Sequence, residues 1–221
     1  MALIQRELTP LIKENKQSVH HACLVKADIL PCHEKTIYNL IDANLLPEIK
    51  NLDLPRKCRL KPRKSGRKEH KVDSQCRIHR TYVDFLDFVQ AHPDVSVVEM
   101  DTVEGIKGGK VILTFLFKSC NLQLFFLADH HTSQATIQQM DQLYEQRLGP
   151  ELFKKIFEVI LTDNGSEFSN PTAIENDAFH QSRSRLFYCD PAASYQKGTC
   201  ENNHETLRRF YTKGSSFDQL T

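Results

Sequence analysis

Three strand-length apolar segments follow one another between Val95 and Ala128, and they restrict the fold more than anything else in the chain. The first, VSVVEMDTVEG, ends at Gly105; the second, GKVILTFLFKSC, comes after a Lys107-Gly108-Gly109 turn; the third is LQLFFLADHH. Connections this short join antiparallel neighbours, since a parallel return needs a crossover of a dozen residues or more. From Ser133 to about Arg147 the apolar period becomes helical, through Ile137, Met140, Leu143 and Tyr144. A strand in FEVILTDNG follows, then a short helical stretch from Pro171, a strand in SRLFYCD and a last helix from about Thr199. The order βββαβαβα, in which later strands alternate with helices, predicts an α/β fold with a mixed sheet covered by helices.

The N-terminal part reads differently. In NKQSVHHACLVKAD, Val19, Ala22 and Cys23 lie at helical spacing behind a potential N-cap, Ser18. After a break at ILPC, the stretch HEKTIYNLIDANLL carries an Ile37, Leu40, Ile41 stripe and leaves Lys35, Tyr38, Asn39 and Asp42 outward. Two short helices with a tight joint suit a helix-turn-helix whose second helix enters the major groove, with Lys35, Tyr38 and Asn39 as DNA contacts. Small helical hairpins that touch no DNA have the same pattern. His20, His21, Cys23, Cys32 and His33 also fall here, but their intervals match no common zinc-finger spacing.

Net charge is +1 for the whole chain, yet RKCRLKPRKSGRKEHK, Arg56 to Lys71, has nine Lys/Arg against one acid. With Pro62, Ser65 and Gly66 and no apolar period, it reads as an extended linker, either simply solvated or neutralising phosphates with release of counterions. On the second reading Arg56, Lys57, Arg59, Lys61, Arg63, Lys64, Arg67 and Lys68 are DNA contacts. An amphipathic connector helix is expected in RTYVDFLDFVQAHP, ended by Pro93. The expected divisions are thus a helix-turn-helix region over 1–47, a basic linker and connector helix over 48–94, and a catalytic core over 95–221.

Composition excludes other classes. At 40% hydrophobic the chain can bury a core. No apolar run approaches the ~18 residues of a membrane span, and the N-terminus has no long apolar signal core. Seven scattered cysteines, with no C-x-x-C pair, suggest free thiols in a reducing cytosol rather than a disulfide framework.

Asp101 stands in the middle of the first predicted strand among Val98, Met100 and Val103, where a lone acid is costly unless solvated, paired or bound to a cation. Asp163 closes the fourth strand in VILTDNGSEF, and Asp-Asn-Gly is by itself an ordinary turn signal. Glu201 lies in the first turn of the last helix behind Gly198 and Thr199, with Cys200, Asn203, Leu207 and Phe210 able to face the sheet. Glu205 is a rival one turn on. Glu99 shares the face of Asp101 by alternation, whereas Glu104 does not. Asp129, His130 and His131 close the third strand and read as a solvated loop, with a place at the same rim as the alternative, and Glu167 and Asp190 read as supporting or surface acids.

VVEMDTVEG, LTDNGSEF and GTCENNHETLRRFYTKGSSF resemble, in order, the three acidic motifs of the IS-thirty family of bacterial insertion-sequence transposases, whose ribonuclease-H-like core is shared with retroviral integrases. The likeness covers nearly the whole chain, since that family also places helix-turn-helix and basic segments ahead of its core. It implies that Asp101, Asp163 and Glu201 are the catalytic DDE triad, with 61 residues between the first pair and 37 between the second. It further implies that they bind two Mg²⁺ ions, with Mn²⁺ as substitute, and that Asp163 serves both the turn and the metal. Inverted-repeat DNA ends and target DNA as partners, a homo-oligomer on DNA, no membrane, and a bacterial cytoplasmic, nucleoid-associated location follow from the same resemblance. Where the family shows Trp before its Gly-Thr this chain has PAASYQKGT, so Tyr195 would stack on a base or sugar beside Lys197. Relative to the family, both ends look shortened. The alternative expectation is therefore a catalytically incompetent DNA-binding remnant that represses the full-length enzyme; a ribonuclease H or Holliday-junction nuclease is a third.

Overall fold

The computed structural model describes residues 1–54, 57 and 75–220, and only the backbone of Ser194 and Glu201. The chain divides into two compact units, Met1–Glu69 and His70–Thr221.

In the first unit, α1 (Ala2–Thr9) runs into a π-helical turn, Pro10–Glu14, and is followed by α2 (Val19–Val25) and α3 (Glu34–Asp42). Ser18 caps α2 by accepting from the His21 amide, as its sequence position suggested. Ile4, Leu8 and Ile12 pack with Val19, Ala22, Ile37 and Ile41, so a helix not expected from the sequence supplies one wall of this core. Leu40, expected in the stripe, is only partly buried.

The second unit opens with α4 (Tyr82–Ala91), started by a Thr81–Asp84 capping box. Strands β1 (Val97–Glu104), β2 (Val111–Phe117) and β3 (Leu122–Ala128) form the expected antiparallel meander. Next come α5 (Ser133–Gln142), a π-helical turn at Leu143–Arg147, and α6 (Pro150–Ile156). The sequence suggested one helix here, but Gly149 at φ +78° breaks the chain, and Pro150 starts a second helix that buries Phe153. The remaining elements are β4 (Val159–Thr162), α7 (Pro171–Glu175), β5 (Arg185–Tyr188) and α8 (Gly198–Phe210).

The sheet runs β3-β2-β1-β4-β5, with β1, β4 and β5 mutually parallel, so the fold is mixed α/β. Alternation sends Val98 and Met100 to one face, where they meet Phe115, Phe153, Phe157 and Met140 beneath α5 and α6. The Phe153 and Phe157 rings stack at 4.5 Å, and Phe115 meets Phe157 edge-on at 5.4 Å. On the opposite face Phe85 of α4 covers Val159, Leu161 and Phe187, while Leu207 of α8 packs by Val103 and Ile112. Asp101 lies on this second face, between those two apolar patches. After α8 the chain returns to the β1–β2 turn, where the Lys110 amide donates to Asp218.

Candidate active site

The register of the two central strands brings the acids level. Val97, Val98 and Glu99 pair with Val159, Ile160 and Leu161; Asp101 and Asp163 each lie two residues beyond the last of these pairs, Asp163 just past the end of β4. Both stand where β4 ends and the sheet opens, the usual place for sites in α/β sheets.

Asp163 does form the turn. Its Oδ1 accepts from the Gly165 amide at 2.9 Å, and the Asn164 side chain donates to the Cys189 carbonyl at 2.8 Å. The turn chemistry differs from what Asn-Gly suggested, because Gly165 has φ −63° and Asn164 is not among the positive-φ residues. Gly165 leaves room for the Glu167 carboxylate, which a Cβ there would force aside. Glu167, expected as a supporting or surface acid, is buried and contacts Nε2 of His131 at 2.7 Å. His131 thus belongs to the rim of the site and not to a solvated loop, whereas Asp129 and His130 are exposed. The Glu167 carboxylate holds the His131 pKa above its ordinary value against the opposing effect of burial, with Glu104 and Asp163 adding to the rise.

Two side chains of helix α8, Cys200 and His204, and Lys197 just before it lie against Asp101. Lys197, immediately before the helix, is buried; its Nζ is 3.1 Å from Asp101 Oδ2 and donates to the Met100 carbonyl at 3.2 Å. Burial opposes the ammonium, but Asp101 and then Asp163 outweigh it and hold the lysine pKa above its usual value. The pocket therefore places a cation against its carboxylates. His204 Nδ1 lies 3.8 Å from the same Asp101 oxygen, and its Nε2 lies 3.0 Å from Thr114 Oγ1 and 3.4 Å from Cys200 Sγ. Burial lowers the His204 pKa, against the pull of Asp101. It also pushes the Cys200 and Cys189 thiols up to about 12, so both are protonated near neutrality. Glu99 is 1% exposed and has Lys118 Nζ at 3.3 Å from one oxygen; its other oxygen is a buried acceptor without a hydrogen-bond partner among the described residues.

The face of α8 differs from the sequence expectation. Cys200, His204 and Leu207 turn to the sheet, while Phe210 is 56% exposed. The helix starts at Gly198 with Lys197 as N-cap, and Thr199 is exposed. Glu201 is in its first turn, with its side chain outside the described residues; Glu205 is exposed.

The expected DNA contacts separate into three groups. Lys35 and Asn39 are exposed on α3 and Tyr38 is half-buried. Lys57 pairs with Asp42 at 3.0 Å and lies 5.9 Å over the Tyr38 ring. Arg56, Arg59, Lys61, Arg63, Lys64, Arg67 and Lys68 fall outside the described residues. Tyr195 is 79% exposed, free to stack, but Lys197 is turned inward to Asp101 and is unavailable as a surface phosphate contact. The residues missed from sequence are Lys197 in this inward role, Cys200 and His204 as a pair, and the His131–Glu167 contact. Only the Cys-x-x-x-His interval on a helix carried a readable signal, since i and i+4 share a face.

Chemically, the site combines two level carboxylates, a buried ammonium, and an imidazole and thiol on a covering helix. Among the described residues no helix is long and apolar enough to cross a membrane, and six cysteines form no disulfide. No family model matches the chain. It is 27% identical over 208 residues to a probable transposase for insertion-like sequence element IS1161 of Streptococcus salivarius, with 91% of this chain covered. The chain spans about half, 54%, of the length of that relative.

Proposed function

We propose that this chain acts on DNA as a transposase of the DDE type, with Asp101, Asp163 and Glu201 as its catalytic acids and a ribonuclease-H-like sheet as their support. The observation that carries this reading is a buried cation, Lys197, under the pull of Asp101 in β1 and of Asp163 directly after the neighbouring parallel strand β4. The strand order β3-β2-β1-β4-β5 and the likeness to an insertion-sequence transposase support it.

The donor set fits a hard divalent cation: the acids offer oxygen only, and the demand for positive charge is already evident in Lys197. Asp101, Asp163 and Glu201 would hold two Mg²⁺ ions, or Mn²⁺, which when bound supply Lewis-acid stabilisation to the oxygens of an in-line phosphoryl transfer. The Asp163 turn fixes one carboxylate through the Gly165 amide, and Thr102 N–H fixes Asp101 Oδ1 at 2.8 Å, so neither acid must reorganise. Glu167, clasped by His131, supports that turn from below Gly165. In the reaction, water displaces the 3′-oxygen at an element end, and the freed 3′-hydroxyl then displaces a target 3′-oxygen, with no covalent enzyme intermediate. The first unit and the basic segment bind the inverted-repeat ends through α3 and phosphate contacts. Two ends held together require at least a dimer on DNA.

The test is nicking of supercoiled DNA with Mg²⁺ or Mn²⁺, wild type beside Asp163→Asn, with a gel shift from the same tubes. Nicking should fall by roughly 10²-fold or more in the variant while both proteins shift DNA. Equal nicking by the variant would overturn the triad. Binding by both with nicking by neither would point to the DNA-binding remnant.

A further inference from the structure

Cys200 and His204 are used by no step above, yet they converge on Asp101. A carboxylate oxygen of Asp101, Cys200 Sγ and a ring nitrogen of His204 all lie within 4.8 Å of one another. They come from two elements, β1 and α8, and Cys200 is fully buried. Thr114 orients the imidazole. Its hydroxyl donates to the Asp101 carbonyl at 3.2 Å and lies 3.0 Å from His204 Nε2. His204 Nδ1 in turn faces Asp101 Oδ2 at 3.8 Å. Ligands at ordinary zinc distances in a tetrahedron stand about 3.3–3.6 Å apart, so small adjustments bring these atoms to a shared cation.

We propose that Asp101, Cys200 and His204 form a three-ligand site for a borderline-soft divalent cation of the Zn²⁺ or Co²⁺ kind, distinct in donor chemistry from the oxygen-only set of the DDE acids. Sulfur and imidazole select such ions over Mg²⁺. On binding, the Cys200 S–H bond breaks, sulfur keeps the electron pair and bonds the cation, and one proton passes to solvent. Thr114 is the outer hydrogen-bond partner that metal-ligating histidines ordinarily have. Lys197 competes for the same Asp101 oxygen, so the cation displaces its ammonium. Where the proposed triad is correct, Zn²⁺ withdraws Asp101 from it and inhibits; the site itself does not depend on that reading.

Titrating the full chain with Co²⁺ tests this by absorption, because thiolate ligation gives a near-ultraviolet sulfur-to-cobalt band and tetrahedral geometry gives intense visible bands. One such site is expected in the wild type, with the charge-transfer band lost in Cys200→Ser and affinity lowered at least tenfold in His204→Asn. Cys23→Ser should leave the band intact, and so should Asp163→Asn, which separates this site from the fate of the triad. A band that survives Cys200→Ser, or none in folded wild-type protein, overturns the proposal. If Cys200→Ser fails to fold, unchanged Co²⁺ affinity in His204→Asn overturns it equally.

Discussion

Replacing Lys197 with methionine keeps the length of the side chain and removes its charge. The ammonium stands 3.1 Å from Asp101 Oδ2, and the side chains are 6% and 16% exposed, so water cannot readily take its place. Removing one member of a buried ion pair costs about 3–5 kcal/mol, chiefly because the remaining charge is left unpaired. The residual exposure of Asp101 puts this case near the lower end, about 3 kcal/mol, including the lost bond to the Met100 carbonyl. For a unit of this size each kcal/mol shifts Tm by roughly 2–4 °C, so metal-free Lys197→Met should melt about 6–12 °C below wild type. Differential scanning calorimetry with chelator present measures the deficit. Adding a divalent cation should recover much of it, since a ligand at a hundred times its Kd stabilises by about 2.7 kcal/mol. A metal-free variant within about 0.5 kcal/mol of wild type would refute the claim that these carboxylates need an internal cation.

Two further outcomes concern the rim. Gly165→Ala drives a methyl into the Glu167 carboxylate and should destabilise by about 1–3 kcal/mol in urea unfolding; in a Glu167→Ala background its cost should largely vanish. His131 has its pKa raised by Glu167, so the pair contributes fully below the unfolded value of 6.5 and loses its contribution as pH rises through the higher folded value. The stability lost in His131→Gln should therefore be larger at about pH 6 than at about pH 9, and an equal loss at both would discount the ion pair.

The elements of the sheet were legible because their signals are local. Five strands, the capped helix α4 and the turn at Asp163 each follow from short-range periodicity and capping residues. Helices α1 and α6 were not: each is a short segment of eight and seven residues, and short helices owe their stability to tertiary packing more than to propensity.

Sequence alone determined which acids stand out, and it did so through their place in an apolar strand and at a strand end. It could not determine their company. Asp101 and Asp163, with 61 residues between them, each stand two residues beyond the last parallel pair of β1 and β4, and Lys197 turns inward to Asp101 and the Met100 carbonyl. Gly165 illustrates the same division: the dipeptide announces a turn, but its lack of a Cβ matters because the Glu167 carboxylate, held by His131, lies against it. Turns, caps and periods are encoded within a few residues, whereas charge pairing and close approach depend on which distant segments the sheet brings together.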